Sequence, residues 1–383
     1  MNKLLIAFFL FLLPFGWIKA TASSHPESFP WKAQWINTER CQSATNTWLI
    51  YRKSFGVTDV PNQLIARIAA DSKYWLWIND QLVIFEGGLK RGPSPSGTYY
   101  DPVDIAPYLT KGTNTIAVLL WHFGKDGFSH INSGKAALLF EAIAPGLEIV
   151  SDASWQCALY EAYQNTEAPF PNYRMPESNI RFDARQAITN WNRTSFEGSL
   201  PGAVCVGKAG KAPFGELVER PIPQWKNSGL LSYVSVRESL RGDTLFCRLP
   251  YNAQITPYLK VEAEAGKTIH IRMDNYEGGS ERNVRAEYIT REGEQEYESY
   301  GWMNGHEVYY IIPEGVKVLD VKYRETGYNT DLAGSFHCDD PFYDELWQRS
   351  ARTLYITMRD NYMDCPDPVS YTHLRAHETR SNL

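Results

Sequence analysis

Asp71-Ser72-Lys73-Tyr74-Trp75-Leu76-Trp77-Ile78-Asn79-Asp80 is the stretch on which the fold turns. Tyr74 to Ile78 is a short apolar run rich in aromatic residues, closed by the turn dipeptide Asn79-Asp80 and answered by Leu82 to Phe85, the pattern of a β-hairpin. Upstream, Ile65 to Ala70 reads as another strand. Downstream, a Gly/Pro/Ser loop from Gly87 to Gly97 precedes Asp101 to Leu109, the turn Lys111-Gly112-Thr113, and a buried strand from Asn114 to Trp121. Short apolar runs bounded by turn residues dominate from Trp48 to Ala144 and predict one antiparallel β-sandwich.

Working outward, residues 151–225 are broken by Pro169, Pro171, Pro176, Pro201, Pro213, Pro221 and Pro223, which predicts closing strands of that sandwich plus a linker. Strand patterning resumes over Leu230 to Val236, Tyr258 to Ala263, Thr268 to Met273 and Glu296 to Met303. Asn304-Gly305, flanked by Trp302 and by Val308 to Ile312, reads as a hairpin turn, and Pro313-Glu314-Gly315 turns the chain into Val316 to Tyr323. These form a second sandwich. Past Cys338 the period changes: Asp340 is a good N-cap, Pro341 suits the first helical position, and Phe342, Leu346, Ala351, Leu354 and Met358 fall at helical spacing. One helix fits before Pro366 and Pro368, and a lone amphipathic helix needs partners to cover its apolar stripe. The expected class is mainly β, two jelly-roll-like antiparallel sandwiches followed by the start of a helical domain that is cut off.

Composition agrees. A hydrophobic content of 43% excludes general disorder, and 383 residues call for two or three folded units. A net charge of −6 offers no electrostatic footprint for nucleic acid or an anionic membrane. At the N-terminus, Lys3, the apolar run Leu4 to Ile18 and the small-residue pattern Ala20-Thr21-Ala22 read as a secretory signal peptide cleaved after Ala22, so the mature chain is expected to be exported to the periplasm or exterior. No other run approaches the roughly 20 apolar residues of a membrane-spanning helix. The six cysteines, Cys41, Cys157, Cys205, Cys247, Cys338 and Cys365, are scattered without a C-x-x-C pair and suggest buried thiols with at most one bridge. No metal site and no cofactor are expected.

Phosphate-binding and dinucleotide glycine motifs are absent, as are G-x-S-x-G and H-E-x-x-H, since His306-Glu307 lacks the second histidine. The densest polar constellation runs from Met358 to Pro368 and places Asp360, Asp364 and Asp367 at the end of the predicted helix. Ionised carboxylates are strong multi-acceptor groups that can hold sugar hydroxyls, although turn and capping roles suit aspartates equally. Trp75 and Trp77 share one strand face, where they can stack on sugar rings or fill a core. Glu277 with Gly278-Gly279 reads as a loop. His122 and His130 lack ligand spacing and read as structural.

At this point the residues resemble a known family, the bacterial α-L-rhamnosidases. The matching stretches are Asp71 to Asn79, Asp104 to Val118, Arg324-Glu325-Thr326-Gly327-Tyr328 and, most specifically, Thr353 to Pro366. The resemblance spans roughly Trp31 to Pro368 and is loose in the sandwiches. It implies inverting hydrolysis of terminal α-L-rhamnosyl residues in rhamnose-containing glycans or glycosides, with N-terminal sandwiches before an (α/α)6 barrel. It further implies that Asp364, with Asp360 nearby, is a substrate-binding carboxylate in the sugar pocket. No catalytic residue can be assigned, because the family's general-acid Glu falls at the position held by Val369.

From Val369 to Thr379 the sequence resembles no enzyme segment and reads as one frame of a transposase adapter used in DNA library preparation. The resulting division is 1–22 signal peptide, 23–225 first sandwich plus linker, 226–335 second sandwich, 336–368 start of the catalytic domain, and 369–383 an artefact. The chain as given is expected to be inactive. Two alternatives stay open, a secreted carbohydrate-binding sandwich protein and an exported glycosidase of another sugar specificity.

Overall fold

The computed structural model describes residues 30–89, 92–93, 97–126, 130–167, 180–277, 284–360 and 362. The expected signal peptide, Asp364, Val369 and the segment 369–383 lie outside the described residues. Contacts divide the chain into Met1–Trp31 and Lys32–Leu383, and all that follows concerns the second unit.

In chain order the first strands are β1 (Gln34–Asn37), β2 (Thr47–Val57), β3 (Ile65–Asp71), β4 (Lys73–Ile78), β5 (Gln81–Gly87), β6 (Thr98–Asp104) and β7 (Gly112–His122). Then come β8 (Ala137–Ala144), β9 (Leu147–Val150), β10 (Gln156–Leu159), β11 (Tyr163–Asn165), β12 (Ile180–Asp183), β13 (Val204–Lys208) and β14 (Leu217–Glu219). The remainder are β15 (Leu230–Leu231), β16 (Ser235–Glu238), β17 (Thr244–Ala263), β18 (Thr268–Met273), β19 (Arg285–Ile289), β20 (Gly293–Glu298), β21 (Met303–Ile311), β22 (Val316–Glu325) and the helix α1 (Pro341–Ile356).

Among the described residues these strands form three sheets. One runs β13-β1-β8-β3-β6-β14 with β9 beside β8, and it faces a second ordered β10-β2-β7-β4-β5. Ile36, Tyr51, Ile68, Leu76, Val118 and Phe140 interleave between them as the first core. The hairpin that anchored the reading is present: Asn79 and Asp80 both have positive φ, 46° and 70°, and Ile78 pairs with Gln81. Two positive-φ residues make the type I′ geometry whose twist suits a two-residue hairpin.

The five-stranded sheet is buried on both faces. Alternation along the strands sends Trp48, Trp75, Trp77 and Trp121 to the face opposite the first core, where they meet Tyr163 and Trp191. This explains the near-continuous apolar runs of β4 and β7, since a sheet covered on both sides needs no polar face.

The third sheet runs β11-β12-β19-β18-β21-β17-β22-β15, with β16 and β20 also on β17. Its 20-residue strand β17 serves both halves. Thr244 to Arg248 pairs with β16 and β21, the ladder to β21 breaks between Arg248 and Ala253, and the rest pairs with β20, β21 and β22. Pro250 sits in that break, where no ladder N–H is needed. Ile255, Val261, Ile271, Tyr288, Val308 and Tyr310 fill the core the sheet encloses.

Several expectations need correction. Asn304-Gly305 is not a turn but lies inside β21, opposite Gln254 and Ala253. A Cβ on Gly305 would sit 2.3 Å from Asp274 Oδ1, so any side chain there would have to displace that carboxylate. Leu230 to Val236 is two short strands, and Glu296 to Met303 is the end of β20 and the start of β21. Asp101 to Leu109 holds the end of β6, to Asp104, and a 3-10 turn over Ala106–Tyr108 with Pro107 in its first turn. The stretch 151–225 is shared out: β10, β13 and β14 complete the first two sheets, whereas β11 and β12 join the third. Among the described residues antiparallel pairing holds apart from two parallel pairs, β6 with β14 and β12 with β19. The five cysteines among the described residues are free thiols, Cys157 and Cys247 buried as expected, but Cys205 is exposed and Cys41 and Cys338 are half-buried.

Candidate functional site

The helix α1 starts as its sequence demands. Asp340 caps it, its carboxylate accepting from the Phe342 N–H at 2.9 Å, and Pro341 occupies the first turn. Phe342, Leu346 and Leu354 remain exposed along one side, whereas Ile356 is buried where the helix meets the sheets. Tight seating is therefore confined to the C-terminal end.

That seating is polar. Gln254 of β17 donates from Nε2 to the Ile356 carbonyl at 2.7 Å, satisfying one of the carbonyls every helix leaves unpaired. Its Oε1 accepts from Arg359 Nη1 at 2.8 Å. Arg359 Nη2 donates to Glu86 Oε1 at 2.6 Å, and Lys73 Nζ donates to the same oxygen at 2.6 Å. All three charged side chains are 3% exposed or less. The Arg359 guanidinium also lies over the rings of Trp225 and Trp302, 4.5 and 4.9 Å from their centroids. A cation so desolvated is held by its carboxylate partner and by the ring faces together.

The Arg324 to Tyr328 motif completes the mount. Arg324 forks onto Glu298 at 2.8 and 2.9 Å, and Glu325 accepts from Tyr251 Oη at 2.9 Å while lying 3.6 Å from Arg352. The Thr326 N–H donates to the Gln254 carbonyl at 3.0 Å. Gly327, at φ +132°, leaves room for Tyr355, whose Oη would be 3.2 Å from any Cβ there. Arg352 in turn donates to the Asn252 carbonyl and stacks on Tyr251 at 3.9 Å. The residues after α1 are thus carried to the place where β5, β17 and the Trp225 and Trp302 segments converge.

Of the site residues read from sequence, Asp360 is half-buried and follows Arg359 directly. Trp75 and Trp77 are corrected. Trp75 is fully buried, stacked on Tyr300 at 4.7 Å and on Trp48 at 6.0 Å, and Trp77 packs edge-on against Trp191. Their ring faces are covered by protein and offer nothing to a sugar. His122 and His130 are buried beside Asp71 and Ser72. Among the described residues no group of three or more potential metal ligands occurs, and no helix is long and apolar enough to cross a membrane.

Sequence reasoning missed Glu86, Lys73, Gln254, Trp225 and Trp302. One signal was present, a lysine heading the otherwise apolar β4, because a charge in a fully buried strand requires a partner.

No family model matches the sequence, and no curated protein matches it. Solved structures do. The chain is similar to the GH78 family rhamnosidase of Bacillus sp. GL1, with a TM-score of 0.77 and 17% identity, over 88% of this chain and 59% of that one. It is similar to the α-L-rhamnosidase from Dictyoglumus thermophilum, with a TM-score of 0.67 and 20% identity over 88% of this chain and 40% of the other. For the α-L-rhamnosidase from Aspergillus terreus the values are 0.66 and 20%, over 88% and 41%. The likeness is one of fold, and the chain spans between two fifths and three fifths of these proteins' length.

Proposed function

We propose that this chain is the sandwich region and the opening catalytic segment of an exported, inverting α-L-rhamnosidase. The observation that carries the reading is the Arg359 lock, the buried Lys73–Glu86–Arg359 triad that fixes where the segment after α1 begins. The rhamnosidase fold supports it, and so does the motif from Thr353 to Pro366.

In this reading Asp360 and Asp364 supply acceptors for sugar hydroxyls at the C-terminal mouth of α1. Inversion requires a protonated carboxylic acid at the leaving oxygen and a carboxylate that activates water, about 6.5 to 9.5 Å apart. Val369 can fill neither role. The 383-residue chain alone is therefore without rhamnosidase activity, because loss of a general acid alone costs on the order of a hundred- to ten-thousand-fold.

The test is the source gene, sequenced from independently prepared DNA across codon 368. The reading predicts a Glu at position 369 and a frame that runs on to Trp-x-Gly-Asp. Reproduction of Val369 to Leu383 followed by a stop codon would contradict it and leave sugar binding as the function to examine.

A further inference from the structure

The carbonyls at the end of α1 can be accounted for one by one. An α-helix leaves those of its last turn without N–H partners of its own. Thr357 answers Leu354, with its N–H at 3.3 Å and its hydroxyl at 3.0 Å, and the Met358 N–H answers Tyr355 at 3.2 Å. The carbonyl of Ile356 is taken from outside the helix, by Gln254 Nε2 of β17 at 2.7 Å. In a continued helix it would accept from the N–H of residue 360, four positions on. The Gln254 amide therefore stands where the Asp360 N–H would stand, and the helix ends.

Released from the helix, the chain doubles back. Met358 and Tyr362 form an isolated antiparallel bridge, with Arg359 and Asp360 in the turn between them. The same amide holds that turn, because its Oε1 accepts from Arg359 Nη1 at 2.8 Å. The two partners fix which end of the amide is which, since a carbonyl can only accept and a guanidinium only donate. Gln254 is itself held in place: it is 1% exposed, its backbone carbonyl accepts from the Thr326 N–H at 3.0 Å, and a Cβ on Gly327 would come within 3.6 Å of its Oε1. One side chain thus ties the end of α1 and the turn after it to a single point of β17. A glutamate there could hold Arg359 but would lack a donor for Ile356, and a leucine could do neither.

We propose that Gln254 is a positioning residue for rhamnoside hydrolysis, a role that rests on the rhamnosidase reading of this chain. It acts through Arg359 and the end of α1, and it sets where Asp360 and the residues that follow meet the sugar. Without it the Ile356 carbonyl is open to the Asp360 N–H, and the turn is drawn back toward a further helical rung. A displacement of about 1 Å in groups that orient a substrate is enough to cost on the order of a hundredfold in rate.

The experiment is steady-state kinetics on an aryl α-L-rhamnoside with the enzyme expressed from the resequenced source gene. It compares the parent with Gln254→Leu, Gln254→Glu and Ile271→Val, the last a trimming of the core under the same sheet that controls for lost stability. All are assayed well below their melting temperatures. Gln254→Leu should lower kcat/KM about tenfold or more, the scale of one charge-assisted hydrogen bond, with the larger part in KM because the displaced groups hold the sugar. Gln254→Glu, which keeps the hold on Arg359, should recover part of that loss, and Ile271→Val should leave both constants as they are. Unchanged constants in Gln254→Leu, or a like loss in Ile271→Val, would overturn the role and leave the rhamnosidase reading standing. A parent without rhamnosidase activity would overturn the reading and the role together. Should Gln254→Leu fail to fold, Gln254→Glu decides, since a parental kcat/KM there would show that the Ile356 cap is dispensable.

Discussion

Arg359 and Glu86 lie 273 residues apart in sequence and meet at 2.6 Å, each side chain 1% exposed. This contact joins the first sandwich to the residues that leave α1, and neither charge has access to water. Glu86 also accepts from Lys73 at 2.6 Å, so loss of Arg359 takes one of its two cationic partners, whereas loss of Glu86 takes the shared carboxylate from two buried cations at once.

Glu86→Gln should therefore lower stability by about 3 to 5 kcal/mol, and Arg359→Ala, which leaves Lys73 on Glu86, by less, read from denaturant melts. Arg359→Met together with Glu86→Gln, which leaves Lys73 as the one charge of the triad, should lose less than the sum of the two single changes. Additive losses would show that the two side chains act independently.

Trp75 serves packing. Trp75→Ala should cost about 3 to 5 kcal/mol, and Trp75→Phe clearly less, since the ring stacking on Tyr300 is largely kept. Neither change should selectively remove glycan binding from protein that remains folded. A selective loss on a glycan array with unchanged melting would restore Trp75 as a sugar platform.

Much of this was legible in the sequence, and the failures share one cause. Strand existence follows from local alternation and turn chemistry, so Asn79-Asp80, Thr268–Met273 and the capped helix at Asp340 could be read directly. Asn304-Gly305 carries the same local signature as a hairpin, yet the glycine answers to Asp274, packed against it from 31 residues away. Trp75 and Trp77 read equally as core or platform because their neighbours Tyr300 and Trp191 come from distant segments. The Arg359 lock was half visible, through the motif that contains Arg359 and through Lys73 in an apolar strand. Its acceptor Glu86 was not, since only tertiary pairing selects one glutamate among many.

Gly327→Ala should destabilise by about 1 to 3 kcal/mol, because φ +132° disfavours an L side chain and Tyr355 Oη stands 3.2 Å from the added carbon. Gly293→Ala, at φ +86° in open space, is the comparison that carries backbone strain alone. In the Tyr355→Phe background the gap between the two substitutions should narrow. An unchanged gap in thermal or denaturant midpoints would place the cost wholly in the backbone.

Acid sensitivity should trace in part to Asp71. Burial pushes its carboxyl up, but the hydrogen bond and charge of His122 and the hydrogen bonds from Ser133 outweigh it, leaving the group below its ordinary value. A depressed folded pKa means stability fully present above the unfolded value, about 3.9, and lost as pH falls through it toward the folded one. Urea melts between about pH 5 and 3 should give Asp71→Asn a shallower fall in stability than the parent. Parallel slopes would remove Asp71 from the acid response.

The most direct test of the central claim is the anomeric form of the first sugar released. Protein expressed from the resequenced source gene, given an aryl α-L-rhamnoside and followed by proton NMR from the first turnover, should release β-L-rhamnose that then mutarotates. Release of α-L-rhamnose first, or cleavage of another aryl glycoside with the rhamnoside untouched, would contradict the account.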